Sequence, residues 1–312
     1  MYVMKNTNFD IAPSITKAAS KQTYYTIRFL VDRDRVPDAY RAYAYFRWVD
    51  DVLDTEAGSG SERQSFLKRQ ESLLEKSYRG EASQDIFPQE EMLVQLVQND
   101  TEKNSGLQFY LRNMMAVMAF DVKRRGKLVS QAELNTYTRW LAGAVTEALH
   151  YFIGHDRYAP HNQARSLAVT AAHITHMLRD TFEDIEAGYF NIPCEVLDTN
   201  HITPLDVQSD VYRAWVRNRV ELARAYFKQG RQYICQVEDL RCRLAGYAYI
   251  ARFEWLLNTI EKENYCLRPQ YSERKNFAAG LRMGWLALSS MFASRQANRS
   301  PQTAPVRGRS LR

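Results

Sequence analysis

Residues 47–54 read RWVDDVLD. Asp50, Asp51 and Asp54 stand within five residues, set among Trp48, Val49, Val52 and Leu53. A surface helix would mix lysines into such a run and a core helix would hold no acid, so the stretch needs counter-charge from elsewhere in the chain. Residues 179–184 read RDTFED, and Asp180 and Asp184 repeat the four-residue spacing of Asp50 and Asp54. On an α-helix, i and i+4 share a face one turn apart, so each segment can present two carboxylates from one stripe. Facing stripes would gather four or more acids. Bound Mg²⁺ stabilises such a set, because hard divalent ions take carboxylate oxygens and keep positions open for phosphate. Lys21, Arg28, Arg41, Arg47 and Arg179 lie close in sequence to these segments, and guanidinium forks match phosphate oxygens.

The surrounding pattern is helical. Thirteen glycines and nine prolines in 312 residues fall mostly between long periodic segments, and strand-like alternation is nearly absent. Pro37 predicts a helix start, with Ala42, Tyr45, Val49, Val52 and Leu53 at helical spacing to about Gly58. Ser61 with Gln64 predicts a cap for the next helix. Residues 105–125 form an amphipathic run, and Ser130 with Glu133 predicts a capping box for a helix reaching about Gly154. Further helices are expected over 163–187, over 210–264 as two long segments, and over 272–292. The expected organisation is a single all-α domain over 1–292, followed by a basic tail over 293–312 that holds five arginines and no acid and reads as disordered.

Composition narrows the function. The chain is 45% hydrophobic and 25% charged, with a formal net charge of +6. Part of that excess sits in the tail, which leaves the body nearly balanced and gives nucleic-acid binding little support. Peripheral contact of the tail with anionic lipid fits its charge. No apolar run approaches the roughly 18 residues needed to cross a bilayer. Neither a signal peptide nor CxxC spacing among the four cysteines is evident, so a reduced cytoplasmic protein, monomer or homodimer, is expected.

Two helical aspartate motifs with nearby arginines point to ionisation of an allylic diphosphate, where metal neutralises charge developing on the leaving group. The carbocation left behind needs a dry apolar and aromatic wall. Tyr43, Phe46, Tyr137, Phe152, Met114, Met115 and Met118 are candidates for it. The segments ASKQTYYTIRFL, AYRAYAYFRWVDDVLD, LNTYTRWLAGAV and HMLRDTFEDIEAGYFNIP resemble the squalene/phytoene synthase family in order and spacing from about Ala19 to Ser272. The resemblance implies the all-α, class I isoprenoid synthase bundle with a central cavity. It implies that Asp50, Asp54, Asp180 and Asp184, with Asp51 beside them, hold Mg²⁺, on the order of two or three ions. It further implies that Lys21 and Arg47 hold diphosphate and that Tyr137 lines the reaction cavity. Arg28 and Arg179, close in sequence to the motifs, are further diphosphate candidates, and His173 and His176, on one helical stripe with Asp180, are expected to face the reacting chain. Use of NADPH has no support in the residues.

The chain departs from the family pattern in two places. The usual glutamine and asparagine, seven and four residues before the second motif's first aspartate, are His173 and His176 here. The usual Gly-Arg-x-Tyr-x-Pro reads Gly188-Tyr189-Phe190-Asn191-Ile192-Pro193. Loss of that arginine weakens the case for two diphosphate substrates and leaves single-substrate ionisation intact. An aromatic acceptor, cyclisation of one prenyl diphosphate, or non-catalytic prenyl-diphosphate binding are the alternatives. The plainer readings are hydrogen-bonded cavity residues for His173 and His176, surface or cap positions for His150 and His155, a charged helix end for Asp121 with Lys123, Arg124 and Arg125, and support of Arg179 for Glu183. A di-iron carboxylate bundle would want Glu-x-x-His pairs on two helices; Glu147 with His150 is the one pair present.

Overall fold

The computed structural model describes residues 11–54, 60–82 and 84–271, and within them the chain is helical. The helix expected over 272–292 and the tail over 293–312 lie outside these residues. The first half comprises α1 (Ile11–Ala19), α2 (Lys21–Leu30), α3 (Val36–Asp54), α4 (Gly60–Tyr78), α5 (Pro88–Asn99) and α6 (Gly106–Arg124). The second half comprises α7 (Gln131–Phe152), α8 (Leu167–Arg179), α9 (Thr181–Glu186), α10 (Cys194–Asn200), α11 (Asp210–Ile234) and α12 (Leu240–Lys262).

Local chemistry sets most of the ends. Ser105 caps α6 by accepting from the Gln108 amide, and Ser130 and Glu133 form the reciprocal capping box of α7. Ser209 and Asp239 cap α11 and α12 in the same way. Two expectations change. Ser61 lies inside the first turn of α4, which begins at Gly60, so its hydroxyl does not occupy the cap position. The segment 163–187 is not one helix: a 3₁₀ turn (Gln163–Ser166) precedes α8, and the helix breaks at Asp180 (φ −95°, ψ 8°) before α9. Thr181 Oγ1 donates to the Met177 and Leu178 carbonyls at 2.8 and 3.2 Å. That competes for the acceptors an unbroken helix would use. The amides of Asp180 and Asp184 still bond to the His176 and Asp180 carbonyls, so the two aspartates remain one turn apart.

Helix α8 is the centre of the molecule. Ala168, Val169, Ala171, Ala172, Ile174, Met177 and Leu178 are all buried, and a helix apolar nearly all round must be enclosed by others. Helices α7, α11 and α12 enclose it. Contact with α11 is close because Gly230 faces Ala168: a Cβ on Gly230 would lie 2.8 Å from the Ala168 Cβ and 3.0 Å from its Cα and N. On the other side, α3, α4 and α5 are joined by a buried polar cluster. Glu90, fully buried, accepts from Arg69 Nε and Nη2 and from Gln70 Nε2, each at 2.7 Å, and Tyr45 donates to Gln70 Oε1 at 3.0 Å. No helix among the described residues is long and apolar enough to cross a membrane.

Gly230→Ala is expected to destabilise the protein even though alanine favours a helix interior by about 1 kcal/mol. The added methyl meets the α8 backbone, and overpacking of this kind costs typically about 1–3 kcal/mol. A denaturant midpoint equal to or above that of the parent would show that the α8–α11 contact yields freely.

Candidate active site

A cavity of about 340 Å³ opens beside α8. Leu141 and Val145 of α7, Val169 and Met177 of α8 and Tyr249 of α12 form its apolar wall. Arg124, Asp180, Asp184 and Asn191 form a polar rim, and Tyr137, His173 and His176 lie between wall and rim. Of the wall residues expected from the sequence, Tyr137 alone lines this cavity. Phe46 packs instead against Tyr45 and Tyr110, Phe152 packs against Tyr151, and Met115 and Met118 are buried in the core with Tyr43 and Met114 against it. The apolar stripe of α3 is spent on the first-half helices, so α7, α8 and α12 furnish the wall.

The second aspartate motif sits at the rim. Arg179 folds onto its neighbour Asp180, donating from Nε and Nη2 at 2.5 Å, and Nη2 is also 2.9 Å from His176 Nδ1. Burial alone would raise the Asp180 carboxyl, but hydrogen bonding from His176 and Arg179, with the Arg179 charge, brings it down to about 2. Glu183 is exposed, so the cation it was expected to support is held by Asp180. Among the described residues, Asp184 forms no ion pair. It accepts from Asn191 Nδ2 at 2.5 Å; burial and the Asp180 charge push it up to about 7.

The first motif lies at the end of α3. Arg47 forks between Asp50, at 3.5 Å, and Asp51. Asp50 is pushed up to about 6 by partial burial and by the charge of Asp54, with Asp121 and Asp51 adding to it against Arg47. Asp54 and Asp50 therefore share a field with Asp121, whose charge also reaches Asp184. Asp121, which reads in the sequence as a charged helix end or a group facing phosphate, links the two motifs electrostatically. It accepts from Arg124 Nε at 2.7 Å and from the Tyr137 hydroxyl at 3.0 Å.

Arg124, of the same charged cluster, also points inward. It is buried, donates to Asn191 Oδ1 at 2.9 Å, and holds its guanidinium carbon 4.8 Å from the Tyr137 ring centroid and 4.9 Å from that of Tyr189. The position left without arginine after Gly188 is thus met by an arginine from α6. The i,i+3 spacing of Asp121 and Arg124 was the available signal. It could not reveal that the pair points inward.

Other expected residues lie elsewhere. Lys21 and Arg28 are exposed on α2 and do not line the cavity; Arg28 reaches the Tyr24 hydroxyl at 3.4 Å. Arg41 pairs with Asp38 at 2.5 Å. His150 is neither surface nor cap. It lies 3.0 Å from the Tyr233 hydroxyl, which accepts from Arg165, itself forked onto Glu147. The single Glu-x-x-His pair is therefore absorbed in a cluster that joins α7, α11 and the 3₁₀ turn. His155 contacts Glu102 at 2.7 Å.

The donor set fits a hard divalent cation: oxygen ligands only, two of them with raised carboxyls and too little positive charge nearby. Among the described residues, no three His, Cys, Asp or Glu side chains converge on one point. Asp180 and Asp51 are drawn onto arginines instead.

An all-α bundle with an apolar cavity rimmed by paired aspartates and arginines defines the class I isoprenoid synthase fold. The chain matches the family model for squalene/phytoene synthase over residues 16–275, and it belongs to that family. It is 25% identical to 15-cis-phytoene synthase of Synechocystis sp. over 274 residues, 82% of this chain and 77% of that protein. It is 30% identical to presqualene diphosphate synthase of Zymomonas mobilis over 205 residues, 64% of this chain and 65% of that protein. In structure it is similar to squalene synthase HpnC from Alicyclobacillus acidocaldarius, with TM-score 0.66 at 20% identity, covering 84% and 95% of the two chains. A dehydrosqualene synthase gives TM-score 0.67 at 18% identity, covering 93% and 97%.

The raised Asp184 carboxyl has a consequence for stability. A group whose folded value lies above its unfolded value stabilises the fold most at low pH, and that contribution is lost as pH rises through the folded value, here about 7. In metal-free protein, Asp184→Asn is expected to raise the unfolding temperature at pH 8, with the gain shrinking toward pH 5. A variant no more stable than the parent at pH 8 would show that Asp184 is better solvated than its surroundings imply.

Proposed function

We propose that the chain is a prenyltransferase that ionises an allylic prenyl diphosphate and joins the resulting prenyl cation to a second prenyl chain. The carrying observation is a cavity that sets Asp180 and Asp184 beside an apolar wall, with the Asp50–Asp54 pair linked to Asp184 through the charge of Asp121. Membership in the squalene/phytoene synthase family, with relatives named for phytoene and presqualene diphosphate synthesis, favours chain joining over an aromatic acceptor, cyclisation or passive binding.

Asp50, Asp54, Asp180 and Asp184 would hold Mg²⁺, with Asp51 available beside them. The metal would supply neutralising charge to a departing diphosphate. Arg47 and Arg179, each already at the edge of an aspartate pair, would add charge-assisted hydrogen bonds to phosphate oxygens. Arg124 supports the handling of a second diphosphate, because it places a cation beside Tyr189 and Asn191, where the motif arginine is missing. The wall of Leu141, Val145, Val169 and Met177 would exclude water from the cation, and the rings of Tyr137 and Tyr249 would face it.

Purified protein incubated with Mg²⁺ and geranyl, farnesyl or geranylgeranyl diphosphate is expected to release diphosphate and yield a doubled-chain product. Asp50→Asn should cut turnover by about 10²-fold or more, the scale of losing one preorganised electrostatic group, while the variant folds cooperatively and is no less stable than the parent near pH 8. Parental turnover in that variant would remove Asp50 from the metal set, and no release from any of the three substrates would refute the proposed activity.

A further inference from the structure

Among the described residues, one polar atom of the cavity-lining side chains is buried with no hydrogen-bond partner. His173 is 7% exposed, and its Nε2 is buried without a hydrogen-bond partner. The ring meets Tyr137 edge to face, with centroids 5.2 Å apart and planes at 62°. Buried side-chain nitrogens are nearly always paired, so an orphan that lines a cavity points to a role in that cavity. His176, one turn along, differs: its Nδ1 is engaged by Arg179 and lies 3.5 Å from Asp180. One histidine serves the aspartate rim, and the other lines the cavity beside the Val169 and Met177 wall, with Nε2 shielded from water.

We propose that His173 is the proton acceptor that ends the carbocation sequence. This rests on the activity proposed above. A hydrogen on the carbon next to a cationic centre is strongly acidic, so basicity is not the limiting requirement. What the step needs is a lone pair in a dry site that is not already protonated. Burial, followed by the charges of His176, Arg124 and Arg219, holds the His173 imidazole down to about 3, which keeps it neutral at ordinary pH. With its own proton on Nδ1, Nε2 offers the lone pair. Breaking the C–O bond of the first chain gives the allylic cation, the double bond of the second chain supplies the electrons of the joining bond and leaves a cationic carbon, and Nε2 takes H⁺ from the carbon beside it, the electrons of that C–H bond becoming a new double bond. The imidazolium formed in this cationic field is itself a strong acid, and it passes the proton to the released diphosphate. The sum is two prenyl diphosphates converted to one coupled chain that keeps the second diphosphate, one released diphosphate and a proton, with no oxidant or reductant consumed.

The test uses the full chain with Mg²⁺ and farnesyl or geranylgeranyl diphosphate, and reads two quantities: diphosphate released, and the share of carbon in proton-loss product rather than water-quenched alcohol. In His173→Ala, the ratio of proton-loss product to diphosphate is expected to fall at least tenfold. Added imidazole, which fits the space left by the ring, should restore the ratio in a dose-dependent way. His173→Phe keeps the ring volume without the lone pair; it should show the same fall with no rescue, and it carries the test if the alanine variant does not fold. A parental ratio in either variant, or a fall in the alanine variant that imidazole does not restore, would overturn the assignment of His173 alone. A parent that releases no diphosphate would overturn the activity, and this inference with it.

Discussion

Everything at the site turns on the cost of keeping carboxylates at the edge of an apolar cavity. Asp50 and Asp184 are each raised by burial first and by a neighbouring aspartate second. The protein relieves this only in part. Arg179 neutralises Asp180 and Arg47 engages Asp50 and Asp51, but Asp184 receives an amide hydrogen bond and, among the described residues, no ion pair of its own. Under the function proposed above, such a site would give up stability of the fold in exchange for affinity toward charged ligands, the usual trade at functional sites.

The scaffold must therefore be rigid where the site is strained. Helix α8 carries His173, His176 and Asp180 at its C-terminal end and is clamped by α7, α11 and α12. The bare backbone at Gly230 lets α11 approach α8 more closely than a side chain would permit. The break at Asp180, made by the Thr181 hydroxyl, leaves α9 to carry Asp184. On the far side, the Glu90 cluster fixes α3 against α4 and α5, and α3 carries the first motif at its end. Each aspartate pair thus rests on an element whose position is set by packing remote from the cavity.

Much of the fold was legible because helical periodicity and caps are local signals: the capping box at Ser130 and the limits of α6, α11 and α12 are written in adjacent residues. The helical placement of both aspartate motifs was legible because spacing and sequence order carry it. What was not legible depended on which side of a helix faces which neighbour. Tyr43, Phe46 and the methionines of α6 are as apolar as Leu141 and Val145, and composition alone does not say which group lines the cavity. Asp121 and Arg124 read as a helix end because the pair is self-neutralising. Its inward direction is fixed by Tyr137 and Asn191, which lie 16 and 67 residues away.

Asn191 has a consequence of its own. Its amide oxygen accepts from Arg124 and its amide nitrogen donates to Asp184, so both ends of one small group are spoken for and its orientation is fixed. An aspartate there would set like charges side by side, and an aliphatic residue would leave the arginine and the carboxylate each short of a partner. The three positions, on α6, α9 and the segment that follows it, form one heritable unit. Drift at any of them is tolerable only when the others change with it. Among descendants of this chain, Arg124, Asp184 and Asn191 should be kept or replaced together, and the set would mark this branch as distinctly as the aspartate motifs mark the family.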